Sequence, residues 1–188
     1  MTKRAAFVIA GQSVEAGTRK TIEIPISTLS DHTPVTLSAH IIHGRHDGPT
    51  TFVSAGIHGD EVIGVEIVRR MLRSKNLKSL NGTLIVVPIV NTFGFLNHSR
   101  YLPDRRDLNR CFPGSASGSL AAQLAHRFTQ EIIARSDIGI DLHSAGLHRE
   151  NLPQVRISSG RPKAAELATI FGAPAIIISK LRDGSLRQ

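Results

Sequence analysis

The sequence has 188 residues, 40% hydrophobic and 20% charged, enough for one globular domain over residues 1–188 with a core of its own. Its single cysteine, Cys111, excludes internal disulfides and Cys-rich zinc folds, so any metal must be held by His and carboxylate. The formal net charge of +8 comes from scattered Lys and Arg, with one Tyr and no Trp to stack on bases; this reads as a generic basic surface, with no nucleic acid as partner.

Near the N-terminus, the apolar run at 5–10 is shorter than a signal-peptide core and is broken by Gly11 and Gln12, so it reads as mature sequence. No later stretch approaches the roughly twenty apolar residues that cross a bilayer. A soluble, cytoplasmic protein without a membrane partner is expected. Residues 21–29, 35–43, 51–55, 83–90, 136–142, 154–158 and 175–179 are β-branched-rich and bounded by Gly, Pro, Asn or Asp, which predicts strands. Helical periodicity covers 61–74, with Val62, Val65, Val68 and Leu72 on one side, and 119–135, with Leu120, Leu124, Phe128 and Ile132; a shorter helix is predicted at 162–171. The nearly continuous apolar strands at 84–87 and 175–178 suggest a sheet covered on both faces. The expected class is α/β, a three-layer mixed β-sheet flanked by helices. Residues 91–119 follow neither period and read as one long functional loop.

Two segments carry chemistry. A strand at 51–55 runs through Gly56 into His58-Gly59-Asp60-Glu61, placing His58 just past a strand end and Glu61 in the first turn of the predicted helix, where its carboxylate can join the imidazole on one ion. The same acids also suit the positive end of a helix, with His58 as an ordinary loop histidine. The second segment tips the balance: the apolar strand 138–142 ends in His143. Two histidines and one glutamate leave an open fourth position on a tetrahedral zinc, as a catalytic site requires. A water there is acidified and a substrate carbonyl polarised, which favours hydrolysis of an amide or ester.

The stretches Gly56-Ile57-His58-Gly59-Asp60-Glu61, Asp107-Leu108-Asn109-Arg110 and Asp141-Leu142-His143 together resemble the aspartoacylase and succinylglutamate desuccinylase family, which shares the zinc carboxypeptidase fold. The resemblance runs from about residue 39 to the end. It implies one Zn2+ per chain on His58, Glu61 and His143, and a small anionic substrate whose carboxylate is bound by Asn109 and Arg110. By the same resemblance Arg100 polarises the scissile carbonyl or holds a second anion, and Asp107 accepts a hydrogen bond from His58 and fixes its tautomer. The implied reaction is amide hydrolysis in an N-acylated amino acid, a deacylase activity. The alternatives are a zinc metallocarboxypeptidase and a non-catalytic zinc-binding module.

Members of that family are longer, and their general-base glutamate lies on a strand beyond the residues of this sequence. The chain is therefore expected to be a fragment, or a C-terminally truncated member without its base. Glu150 is the nearest carboxylate after His143, but its surroundings suit a solvated loop. An open sheet edge and uncovered apolar surface left by a missing strand predict association, as a homo-oligomer or as poor solubility. His32, His40, His43, His46, His98, His126 and His148 match no motif and read as surface or satisfied core residues; Cys111 reads as a small apolar filler.

Overall fold

The computed structural model describes residues 4–146 and 148–187. It opens on a hairpin that the sequence reading did not anticipate: β1 (Phe7–Ile9) and β2 (Gln12–Val14) pair antiparallel across Ala10 and Gly11, which sit at φ 47° and 71°. Positive φ at both central residues is the two-residue turn whose twist matches its flanking strands. The run that looked too short and broken is broken by its turn, and it buries Ile9 and Val14 in the core.

The main sheet has five strands in the order β3-β4-β6-β5-β7. β3 (Thr18–Thr28) and β4 (Pro34–His43) pair antiparallel, and in β3 Ile22, Ile24 and Ile26 are buried between exposed neighbours, the alternation of a strand with one wet face. β5 (Thr50–Ala55), β6 (Thr83–Val87) and β7 (Ile138–Leu142) run parallel, with β6 joined antiparallel to β4. All five residues of β6 are buried, as a strand covered on both faces requires.

One face of this sheet is covered by α1 (Ile63–Met71), whose Val68, with Val65 and Leu72, packs against Val53, Ala55, Leu84 and Val86. The polar stretch after β6 contains α2 (Thr92–Leu96), capped by Asn91, and a 3-10 turn at Leu108–Arg110, capped by Asp107. The opposite face is covered by α3 (Leu120–Glu131), which sets Leu124 and Phe128 against Phe52, Ile85 and Val87. The expected three layers are present. Phe128 meets Phe52 and Phe112 edge-on, with centroids 5.8 and 6.0 Å away. Phe52 in turn lies over Gly139, where a β-carbon would fall 2.3 Å from its ring.

Three expectations change. The strand predicted over 83–90 ends at Val87. The helix predicted over 61–74 begins only at Ile63; Val62 is its cap and 42% exposed, so it leaves the buried stripe. The third change concerns the last strands. β8 (Gln154–Ile157) and β9 (Ala175–Ile178) pair parallel in a separate two-stranded sheet, beside α4 (Pro162–Phe171), and Ile176, Ile177 and Ile178 are exposed. The apolar run at 175–178 is therefore not a covered strand of the main sheet.

Candidate metal centre

The centre lies at the C-terminal ends of β5 and β7. Beyond β5 the chain keeps pace with the segment after β6 through Val90 N–H to Ala55 C=O (3.0 Å) and Asn91 N–H to Gly56 C=O (2.9 Å). Gly56 then turns at φ 64°, and Gly59 settles on the backbone of Gly94 and Phe95, its N–H donating to Ser99 C=O at 3.0 Å. This tight passage leaves His58 and Glu61 almost fully buried. Glu61 sits in the turn before α1, where its N–H donates to His58 C=O at 3.2 Å, rather than in the first helical turn as expected. The turn achieves the convergence that the helix was expected to provide.

His58 Nδ1 lies 2.7 Å from Glu61 Oε1, and His143 Nδ1 lies 2.8 Å from Glu61 Oε2. One atom from each of the three side chains falls within 4.8 Å of the others, so His58, Glu61 and His143 form a group able to hold a metal ion. The outer nitrogens are held as well. His58 Nε2 is 3.1 Å from Asp107 Oδ1, and His143 Nε2 is 2.6 Å from Asp141 Oδ2. An imidazole with one nitrogen on a carboxylate and the other turned inward is the arrangement that fixes a metal-ligating tautomer. The donor set, two imidazole nitrogens and a carboxylate, suits a borderline-soft divalent ion.

Burial works against ionisation of Glu61, yet the hydrogen bonds from His143 and His58 hold its pKa down at about 2. Burial likewise opposes charge on His143, and the bonds to Asp141 and Glu61 outweigh it, raising its pKa to about 10. His58 is shifted up in the same sense, against its burial, by Asp107 and Glu61. Asp107, opposed by burial, is held well below the usual carboxylate range by His58 and Arg100. The carboxylates are thus ionised at neutral pH and draw positive charge to the centre.

Arg100 donates to Asp107 Oδ2 through Nε (3.2 Å) and Nη2 (2.8 Å), and its Nη1 stands 3.6 Å from Glu61 Oε1 and 3.3 Å from His58 Nδ1. Arg100 and Asp107, both singled out from the sequence, therefore stand beside two of the candidate ligands, His58 and Glu61. Asn109 and Arg110 follow on the same turn; Asn109 N–H donates to Asp107 Oδ1 at 2.9 Å, and Arg110 is exposed. The turn is braced from the end of the chain: Leu186 N–H donates to Asn109 Oδ1 and Phe112 N–H to Gly184 C=O, both at 2.9 Å. Cys111 packs partly buried at the core edge, its thiol donating to Asp107 C=O at 3.3 Å, and burial pushes that thiol up.

The sequence reading missed Ser54 and the brace from Gly184 and Leu186, and named Asp141 only within its motif, without a role. Asp141 was accessible, because a residue two before His143 on a strand shares its face. Ser54 was not, since only the pairing of β5 with β7 sets it opposite Asp141. Of the remaining histidines, His43 is buried and satisfied by Thr83 Oγ1 and Ala5 C=O. Glu150 is exposed.

Residues 47–187 match the succinylglutamate desuccinylase/aspartoacylase catalytic domain family. A curated relative from Halomonas elongata, an N-alpha-acetyl-L-2,4-diaminobutyric acid deacetylase, is 30% identical over 163 residues, covering 84% of this chain and 48% of its own. A succinylglutamate desuccinylase/aspartoacylase structure from Rhodobacter sphaeroides superposes with TM-score 0.78 at 27% identity, over 89% of this chain and 52% of that one. A product-bound ectoine utilization protein from Ruegeria pomeroyi superposes with TM-score 0.78 at 25% identity, over 90% and 54%. The chain thus spans about half the length of the relatives it matches. With the match extending over most of its length and including His58, Glu61, Asp107 and His143, the chain belongs to the succinylglutamate desuccinylase/aspartoacylase family.

Proposed function

We propose that this chain carries the metal-binding part of a zinc-dependent deacylase, which hydrolyses the amide of an N-acylated amino acid or a similar small anionic substrate. The observation that supports it most is the convergence of His58 and His143 Nδ1 on the two oxygens of Glu61. Two imidazoles and one carboxylate suit a single zinc with a further position for water or substrate. Zinc held there would supply Lewis acidity and an acidified water at neutral pH.

The chain's own residues would polarise the carbonyl and bind the substrate. Asp107 fixes Arg100 through Nε and Nη2, which leaves Nη1 on the side of His58 and Glu61, placed to donate to the oxygen of a scissile carbonyl. Leu186 N–H occupies Asn109 Oδ1, so the Asn109 Nδ2 donors remain for a substrate carboxylate, with the exposed Arg110 guanidinium beside them. Glu61, Asp107 and Asp141 are each committed to a histidine, so none of them serves as the general base. By the family resemblance that base is a glutamate on a strand following β9, outside the residues of this chain. The acetyl-diaminobutyrate specificity named for the Halomonas relative supports the substrate class.

The test is metal content after dialysis against a weak chelator, together with amine release from N-acetyl and N-succinyl amino acids. Amine release is followed for this chain and for this chain joined to the part of the Halomonas relative that the match leaves uncovered. One zinc in the wild type, lost in His58→Ala, Glu61→Ala and His143→Ala, with amine release by the joined protein, is the expected result. Zinc retained by all three variants, or no hydrolysis by the zinc-loaded joined protein, would overturn the reading.

A further inference from the structure

The backbone register of β5 against β7 brings together a line of three side chains. Ser54 pairs with Asp141 across the strands, and His143 follows Asp141 by two residues, so all three project on one side at the C-terminal end of the sheet. Ser54 is fully buried, in a strand otherwise lined by Phe52, Val53 and Ala55. A hydroxyl there costs stability unless it is bonded, and Ser54 Oγ–H donates to Asp141 Oδ1 at 2.7 Å. The other oxygen, Oδ2, meets His143 Nε2 at 2.6 Å.

We infer that Ser54 and Asp141 are a positioning pair for His143. Ser54 locks the rotation of the Asp141 carboxylate, Asp141 keeps the proton of His143 on Nε2, and Nδ1 is thereby turned towards Glu61 as the ligating atom. The inference rests on the metal reading of the site. It also explains the residue choice at position 54, where an apolar side chain would leave Oδ1 of a partly buried carboxylate without this donor. The arrangement mirrors that of His58, where Asp107 holds Nε2 and is itself fixed by Arg100. Each histidine is thus held by a carboxylate, one fixed by a charged donor and the other by a buried hydroxyl.

The test compares wild type with Asp141→Asn, Asp141→Ala and Ser54→Ala, using His143→Ala as the ligand-loss control and circular dichroism to confirm folding. Zinc affinity is measured by chelator competition. In metal-free protein at neutral pH, the Nε2–H proton of His143 is observed by imidazole 15N-edited NMR. Asp141→Ala is expected to weaken zinc about 10- to 100-fold and to lose the protected, downfield Nε2–H signal to solvent exchange. Ser54→Ala is expected to weaken zinc about 3-fold with partial loss of protection, and Asp141→Asn, which keeps an acceptor of the same shape, to fall between wild type and Asp141→Ala. Zinc affinity within twofold of wild type in folded Asp141→Ala, or an unchanged Nε2–H signal there, overturns the inference; if Asp141→Ala does not fold, Asp141→Asn is judged by the same two readouts. Should the wild type bind no zinc, the metal reading falls, and the Nε2–H signal alone decides whether Asp141 holds His143.

Discussion

Gly59 lies flat against Gly94: a β-carbon on Gly59 would fall 1.8 Å from the Gly94 carbonyl carbon and 2.1 Å from Phe95 N. Both neighbours are backbone, so nothing flexible can yield, and the turn carrying His58 and Glu61 would have to lift away from α2. Gly59→Ala is expected to cost about 1–3 kcal/mol of stability by overpacking and to abolish stoichiometric zinc. Gly160 is the control. It sits at φ 72° with nothing within 4 Å of an added β-carbon, so Gly160→Ala pays only the left-handed backbone cost, about 1–2 kcal/mol, and leaves zinc unaffected. Urea melts and metal content distinguish the two; zinc retained by Gly59→Ala would show that the site does not need this close contact.

Much of this site was legible in the sequence because its parts are local. His58 and Glu61 are three residues apart, Asp107 to Arg110 are contiguous, and β5 and β7 carry apolar patterns that end where the ligands begin. What could not be read depends on pairings distant in sequence. Ser54 gains its role only from Asp141, 87 residues away, and Asn109 its brace only from Leu186, 77 residues away. Period-based reading also lost α2, which is five residues long and defined by the Asn91 cap rather than by an apolar stripe. The hairpin at β1 and β2 was lost because its turn, Ala10-Gly11, lacks the Asn-Gly or Asp-Gly signature. The exposure of β9 has another origin: an apolar run of four predicts burial, but its only ladder partner among the described residues is β8.

Asp107 ties two proposed functions together, since one oxygen faces His58 Nε2 and the other accepts from Arg100. Asp107→Asn keeps the shape but loses the charge that holds both partners. It is expected to weaken zinc about 10- to 100-fold, as measured by chelator competition, and to lower kcat of the joined protein through the released Arg100. An unchanged zinc constant would remove Asp107 from the metal site and leave it only the turn that it caps.

Protonation gives the site a characteristic pH dependence. Glu61 is depressed from 4.5 to about 2, so its contribution to folding of the metal-free chain is complete above 4.5 and is lost as pH falls through about 2. His143 is raised from 6.5 to about 10, so its contribution is complete below 6.5 and is lost as pH rises through about 10. These two groups therefore favour the metal-free fold most between 4.5 and 6.5. Thermal melts in chelator across pH should show that maximum, and a midpoint that keeps rising up to pH 9 would contradict it. Zinc competes for the same nitrogen, so at pH 7 its binding must expel the His143 proton. Titration calorimetry in two buffers of different ionisation enthalpy should report release of at least one proton per zinc.

The substrate side of the site separates from the metal side at Arg110. Its guanidinium is exposed and, among the described residues, its Nη1 donates to the neighbouring Asn109 carbonyl, so neither the core nor the candidate ligands depend on it. Asn109 differs: its Oδ1 anchors Leu186, so replacing it disturbs the brace as well as any substrate contact. Arg110→Ala in the joined protein is therefore the cleaner probe of carboxylate recognition. Loss of one charge-assisted hydrogen bond predicts about a 10- to 100-fold rise in KM for an N-acyl amino acid, with zinc content and melting temperature unchanged. The substrate amide, lacking the carboxylate charge, should be processed by wild type and variant with similar KM. If Arg110→Ala raises KM equally for the acid and its amide, the guanidinium is not reading the carboxylate. A fall in kcat at constant KM would instead place Arg110 at the reacting carbonyl, the role proposed above for Arg100.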